Sequence, residues 1–203
     1  MGGQYLDSGA MYRAVALRAL RLSTGLDDAD TLTALAADAA IELSVDLSGS
    51  HRVLLDGVDV TTEIRSPEVT AAVSAVSAVA GVRRAQVETQ RGIGARTEKV
   101  GAVLVAEGRD MGSVVFPKAQ IKIFLVASAS ARALRRAEDM ASLGHDAVPA
   151  EIEKALWKRD KADSSRSESP LVKAPGAVEV DTTTLSPDAV LEQILELCRE
   201  QRG

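Results

Sequence analysis

One stretch decides the fold: Ala106-Glu107-Gly108-Arg109-Asp110-Met111-Gly112-Ser113-Val114-Val115-Phe116-Pro117, directly after the apolar run Ala102-Val103-Leu104-Val105. An apolar run that ends abruptly in an acid, a glycine, a cation and a second acid predicts a buried strand leading into a polar site. In open α/β sheets ligands bind at the carboxyl ends of the strands. The Arg109 guanidinium offers a planar fork for a phosphate or a carboxylate, and Asp110 can accept from an amino or hydroxyl group. The plain alternative is an Arg–Asp pair that only caps the strand end.

The composition excludes several classes of protein. The chain has 203 residues, 46 % of them hydrophobic, which is enough for one sizeable core with small appended lobes. Its 24 basic and 29 acidic residues give a net charge of −5, and aromatic residues make up only 2 %, so a nucleic-acid partner is not expected. Cys198 is the single cysteine, and His51 and His145 are isolated, so we expect neither a disulfide nor a metal site. With no signal peptide and no long apolar run, a cytoplasmic protein without a membrane partner is expected.

The order of the elements predicts an α/β fold with a parallel sheet. Short apolar segments alternate with helical patterns, which is typical of parallel strands joined by crossover helices. The predicted strands are Gln4-Tyr5-Leu6, Ala102 to Ala106, Ile121 to Val126, and Ala177 to Val180. Helices are predicted from Ser66-Pro67 to about Val79, from about Ser130 to Ser142, and after Ser186-Pro187, where Val190, Leu191, Ile194, Leu195 and Cys198 line one face.

A small antiparallel lobe is predicted to interrupt this pattern. Ile41 to Leu47 alternates apolar and polar residues, turns at Ser48-Gly49-Ser50 and returns through Arg52 to Leu55, which is a hairpin signal. The predicted division is a core of residues 1–34, 66–137 and 167–203, an inserted lobe of residues 35–65, and a lid of residues 138–166.

Other polar residues that could bind a ligand lie at a predicted strand end and on the predicted helices. Ser8 and the amides of the helix that starts beside it can hold an anion, with Arg13 about one turn further on; an ordinary cap with a surface arginine is the alternative. Ser74 and Arg83 lie in helical stretches rich in alanine and valine, where a solvated or packed side chain is the simpler interpretation. The charged run Lys158 to Arg166 and the cluster Arg132, Arg135 and Arg136 are equally compatible with solvent-facing helix surfaces.

In order and spacing, these segments resemble bacterial cytidylate kinases, of the nucleoside monophosphate kinase family. The resemblance covers nearly the whole chain, and its most specific part is Gly108 to Pro117. The matching segments are Tyr5-Leu6-Asp7-Ser8-Gly9-Ala10-Met11-Tyr12-Arg13, Glu107 to Pro117, Lys122-Ile123-Phe124-Leu125, Arg159-Asp160 with Asp163 and Arg166, and Ser169-Pro170-Leu171.

The resemblance implies transfer of the terminal phosphoryl group of ATP, with its Mg²⁺, to CMP or dCMP in a monomeric protein. The transferred group is metaphosphate-like, so catalysis is mostly positioning and charge stabilisation. By similarity, Ser74, Arg83 and Asp110 surround the cytosine, and Gly108 belongs to the same substrate-binding set. The resemblance also implies that Arg13, Arg109 and Arg166, with Ser8 and Tyr12, bind the monophosphate. Arg159 and Asp163 contact the ribose side, and Arg132 and Arg136 of a helical lid bind ATP. The residues implied in catalysis are Arg109, Arg159, Arg166, Arg132 and Arg136.

One part of the family pattern is absent from the sequence. The family carries a strand and a Gly-x-x-x-x-Gly-Lys-Ser/Thr phosphate loop before the Tyr-Leu-Asp-Ser-Gly segment, and these 203 residues contain no such motif. The expected fold is therefore a P-loop kinase sheet flanked by helices without its first strand and phosphate loop, and little phosphoryl transfer is expected from these residues. The alternatives are a truncated, non-catalytic CMP-binding remnant and a kinase for UMP or AMP.

Overall fold

A computed structural model describes residues 3–45, 49–142, 146–166 and 168–200. The chain divides into two units, Met1–Met111 and Gly112–Gly203. Because this boundary falls inside the predicted core range 66–137, the finer division into core, lobe and lid stays a prediction.

The first unit is built on two parallel strands. Strand β1 (Gly3–Asp7) pairs with β5 (Val103–Glu107) in a register that places Gly3 opposite Val103 and Asp7 opposite Glu107. Both strands thus end at the same edge, as the sequence predicts. The helices of this unit are α1 (Ser8–Arg21), α2 (Ala29–Asp38), α3 (Pro67–Ala78) and α4 (Ala80–Lys99).

Helix α1 supplies much of the core of the first unit. The Asp7 carboxylate accepts from the Ala10 amide at 2.9 Å and caps the helix, so the cap is Asp7, and Ser8 is the first helical residue. Met11 and Val15 are fully buried one turn apart, as is Leu6 on β1. This packing fixes the start of α1 against the end of β1.

The predicted hairpin is confirmed within the described residues. Strand β2 (Ile41–Val45) runs antiparallel to β3 (His51–Leu55), and the predicted continuation to Leu47 and the turn residue Ser48 lie outside the described part of the chain. A short strand β4 (Val58–Asp59), which the sequence interpretation missed, pairs with β3. The sequence signal for β4 is the dipeptide Asp56-Gly57, which favours a tight hairpin turn. In the structure these two residues have φ angles of 52° and 80°, the positive values that such a turn requires.

The second unit repeats the parallel arrangement. Strand β6 (Ile123–Val126) pairs with β7 (Val178–Asp181), and helices α5 (Ala129–Ser142) and α6 (Pro149–Ser164) lie between them in sequence. Helix α7 (Pro187–Glu200) begins as predicted, with the Ser186 hydroxyl accepting from the Ala189 amide at 3.2 Å. Met111–Val115, which follows β5, forms a π-helical turn that was not predicted.

The predicted burial of β5 is wrong. The strand ending at Glu107 was expected to be buried, yet Val103 and Val105 are 41 % and 59 % exposed, because among the described residues β5 pairs with β1 alone. The apolar face predicted for α7 forms, but no described residue of that helix is buried, and Leu191 is 54 % exposed. The helices formed by described residues include none with the length and apolar character needed to cross a bilayer.

Candidate active site

A buried ion pair lies directly after the carboxyl end of β5. Arg83, in the first turns of α4, donates from Nη2 to Oδ2 of Asp110 at 2.6 Å, and the two side chains are 4 % and 3 % exposed. Arg83 Nη1 also donates to the Ser77 carbonyl at 3.2 Å, and the Tyr12 ring lies 5.3 Å from the guanidinium carbon. Asp110 thus pairs with a helix residue that is distant in sequence.

One donor of this pair is left unused by the described part of the chain. The Nε atom of Arg83 is buried and has no hydrogen-bond partner among the described residues. A buried donor without a partner lowers stability by about 1–3 kcal/mol, and a charged one lowers it more, so such groups are rare in folded proteins. A polar ligand that accepts from Arg83 and donates to Asp110 would pair with the unused donor.

Gly108 brings the loop after β5 against the start of α1. A Cβ atom placed on Gly108 would lie 2.1 Å from the Ser8 hydroxyl oxygen and 3.2 Å from the Met111 side chain. A side chain there would force the Ser8 hydroxyl to move, so the close approach favours glycine. Ser8, predicted as an anion contact, is buried and lies beside the loop of Gly108, Arg109 and Asp110.

Arg13 is oriented by the first turns of α3 and by the segment that precedes this helix. Its Nη1 donates to Oγ1 of Thr70 at 2.9 Å and to the Ile64 carbonyl at 3.3 Å. Ser74, one turn after Thr70 on α3, is exposed, and Arg109 is partly buried. The sequence singled out Arg13, Ser74 and Arg109 but not Thr70.

A second polar cluster, missed from the sequence, lies beside this site in the first unit. The Tyr5 hydroxyl donates to the carboxylate of Glu107, the last residue of β5. Burial raises the pKa of Tyr5 above its ordinary range, and the bond to Glu107 raises it further. The centroid of the Tyr5 ring also lies 4.4 Å from that of the His51 ring, which connects β1 to β3. Tyr5 opens the matching segment Tyr5 to Arg13, but that segment does not identify it as a partner of Glu107.

In the second unit, a buried carboxylate is flanked by two arginines. Asp163, at the end of α6, has a side chain only 3 % exposed and forms an ion pair with Arg166. Nε of Arg159 lies 3.9 Å from the same carboxylate. The predicted trio is thus brought together within this unit, and an aspartate this deeply buried is stabilised by these cations.

The two arginines predicted for a lid lie on α5. Arg132 forms an ion pair with Asp160 of α6, and Arg136 is exposed one turn later. The Nε atom of Arg132 is buried, and no residue that the structure describes forms a hydrogen bond with it. Helices α5 and α6 are therefore held together by a charged contact at the level of Arg132. The described residues contain no group of three or more histidine, cysteine or acidic side chains placed to hold a metal ion.

Parallel strands joined by helical crossovers define an α/β protein, and a buried arginine–carboxylate pair lies directly after the end of β5, where ligands bind in open α/β sheets. The family model for cytidylate kinase matches residues 1–200, and the chain therefore belongs to the cytidylate kinase family.

Its curated relatives agree with this assignment. The cytidylate kinase of Symbiobacterium thermophilum is 44 % identical over 199 residues, which are 98 % of this chain and 86 % of the relative. That of Desulforamulus reducens is 47 % identical over 192 residues, or 94 % of this chain and 83 % of the relative. A bifunctional pantoate ligase/cytidylate kinase of a Synechococcus species is 46 % identical over 198 residues, which are 97 % of this chain but 36 % of that protein.

Proposed function

We propose that this cytidylate kinase family member takes CMP or dCMP as its acceptor and recognises the base through Arg83 and Asp110. The phosphoryl donor is ATP, which enters with Mg²⁺ as a substrate complex. The observation that carries the proposal is the buried pair with its unused Nε donor.

Cytosine is the base whose polar edge complements this pair. Its exocyclic amine donates, while its ring nitrogen and carbonyl accept; uracil presents a carbonyl where cytosine has the amine. A carboxylate can accept from that amine, and a neighbouring guanidinium can donate to the acceptors. Because uracil would place a carbonyl against the Asp110 carboxylate in a buried site, it would be rejected strongly.

Phosphate binding is proposed for two arginines, one on α1 and one in the loop after β5. Arg13 and Arg109 supply fixed positive charge and planar forks suited to a phosphate, and Ser8 and Tyr12 add hydroxyl groups. Charge stabilisation of this kind is the main contribution that a protein makes to phosphoryl transfer, because the transition state is loose.

The roles in the second unit follow from the resemblance alone. Arg159 and Asp163 are proposed for the ribose, Arg166 for the monophosphate, and Arg132 and Arg136 for ATP. The ion pairs of Arg132, Arg159 and Arg166 are consistent with side chains held in one orientation before a ligand binds.

A calorimetric titration with CMP, dCMP, UMP and AMP tests the base preference. CMP and dCMP should bind at least about a hundredfold more tightly than UMP and AMP, since a site that hydrogen-bonds a specific group rejects analogues by orders of magnitude. Asp110→Asn should remove most of this preference and leave the phosphate contribution, measured as CMP against cytidine. Equal affinities for CMP and AMP would overturn the assignment, and tighter binding of UMP or AMP would favour a kinase for that nucleotide.

A further inference from the structure

Arg13 is held from two sides by parts of the chain that are distant in sequence. Its Nη1 donates to the Thr70 hydroxyl at 2.9 Å and to the Ile64 carbonyl at 3.3 Å. Ile64 is fully buried in the 3-10 turn Glu63–Arg65, so its carbonyl is a fixed acceptor. Thr70 lies on the first turns of α3 and is exposed, so its hydroxyl is the contact that a substitution can remove without opening the core.

Two acceptors on one terminal nitrogen fix the plane of the whole guanidinium. The group is rigid and planar, and its five N–H donors keep constant relative positions. Once Nη1 is placed, the direction in which the other nitrogens point is also determined. The Thr70 hydroxyl is a second acceptor beside the Ile64 carbonyl and restricts rotation of the guanidinium plane about that contact.

The position of Thr70 on its helix relates this contact to the base site. Thr70 and Ser74 are four residues apart on α3 and therefore share one face of that helix. Ser74 is proposed to contact the cytosine, while Thr70 contacts an arginine proposed to contact the phosphate. One face of α3 thus serves both ends of the acceptor nucleotide.

We propose that Thr70 is a positioning residue for the acceptor site, which holds the Arg13 guanidinium in the orientation that binds the monophosphate. The inference rests on the proposed function, because it takes Arg13 as a phosphate ligand. It extends that function to a residue that the family motif of the first helix does not contain.

The test compares CMP with cytidine in a series of variants at one position. Thr70→Val removes the hydroxyl and keeps the shape, and Thr70→Ser keeps the hydroxyl. Thr70→Val should weaken CMP binding about three- to tenfold, as expected for one net hydrogen bond, and leave cytidine binding unchanged. Thr70→Ser should restore CMP affinity to within about twofold of the unmodified protein. Thr62→Val, at an exposed threonine without a side-chain capping bond, is the matched control.

The outcomes separate this inference from the proposed function. Equal weakening of CMP and cytidine would show a merely structural role, and tighter CMP binding would show that Thr70 competes with the phosphate for Arg13; either overturns the inference. An unchanged CMP-to-cytidine ratio in a protein that still prefers CMP to UMP overturns the inference alone. If the unmodified protein binds CMP no more tightly than UMP or AMP, both the inference and the proposed function are overturned.

A second measurement covers the case in which the valine variant folds poorly. Thr70→Ala makes the same comparison with a better helix former. In an Arg13→Ala background, loss of the Thr70 hydroxyl should have no further effect on CMP affinity. An undiminished effect there would show that Thr70 acts independently of Arg13 and would overturn the inference.

Discussion

The buried pair of Arg83 and Asp110 allows stability and base recognition to be separated. Asp110→Asn keeps the shape of the side chain and removes its charge, which leaves the Arg83 guanidinium uncompensated in a site where the pair is only 4 % and 3 % exposed. Breaking a buried pair by removing one partner costs about 3–5 kcal/mol. For a chain of this size, that loss corresponds to a fall in unfolding temperature of about 6–20 °C.

A double variant distinguishes loss of charge balance from loss of recognition. Arg83→Met combined with Asp110→Leu replaces the pair with apolar groups of similar size, and such replacements are often neutral or stabilising. The double variant should therefore recover most of the lost unfolding temperature while the preference for CMP over UMP stays absent. The recovery would show that the single variant was destabilised by the remaining charge.

Differential scanning calorimetry and CMP titration measure the two effects in the same samples. Asp146→Asn, at an exposed aspartate, is the control for the loss of one acidic side chain. The reasoning is refuted if Asp110→Asn unfolds at the temperature of this control. It is also refuted if the double variant prefers CMP as strongly as the unmodified protein does.

Three further changes test other contacts. Gly108→Ala would place a methyl group 2.1 Å from the Ser8 hydroxyl oxygen, and this overpacking should lower the free energy of unfolding by about 1–3 kcal/mol and weaken CMP binding. Adding Ser8→Ala should recover part of the stability, measured by thermal unfolding. A Gly108→Ala protein as stable as the unmodified one would contradict the close approach. Arg109→Lys should weaken CMP binding about tenfold in a titration and leave cytidine binding unchanged, because lysine lacks the planar fork of the guanidinium. A CMP affinity equal to that of the unmodified protein would show that a point charge suffices. Hydrogen bonds from Thr61 hold the pKa of the Asp59 carboxyl below its ordinary value of 3.8, so its stabilising effect is present above that value and is lost as the pH falls through the lowered pKa. The unfolding temperature of Asp59→Asn should therefore fall less than that of the unmodified protein on acidification from about pH 5 to about pH 2, and parallel curves would contradict this.

The strands and helices could be predicted because their signals are local. The apolar runs that became β1 and β5 are bounded by glycine or charged residues, and Ser66-Pro67 and Ser186-Pro187 mark helix starts through backbone chemistry that needs no tertiary contact. The short strand β4 was missed because two residues are too few for a periodic pattern.

The exposure of elements could not be predicted in the same way. Whether Val105 or Leu191 is covered depends on which element lies against it, and an apolar stripe gives the same pattern in either case. Burial of β5 was therefore inferred from its composition, although the neighbouring elements, strand partners included, decide it.

The site was predicted as a set of residues but not as a set of contacts. Arg83 and Asp110 were both candidates, yet nothing in the sequence shows that residues 27 positions apart would pair. Thr70 is 57 positions from Arg13 and belongs to no motif, so only the packing of α3 near α1 identifies it. The pair of Asp163 and Arg166 lies within one helical turn, and such a local contact is readily expected.

The exposed valines of β5 have a consequence for handling the protein in solution. Within the described residues β5 pairs on one edge only, and Val103 and Val105 present apolar side chains beside backbone groups able to form a further ladder. The segment Gly101-Ala102-Val103-Leu104-Val105-Ala106 has no proline and no charge, which is typical of sequences that pair strand to strand between molecules. Concentration and temperature are therefore the conditions to which preparations of these 203 residues should be most sensitive. A lysine at position 105 would discourage aggregation without touching the acceptor site.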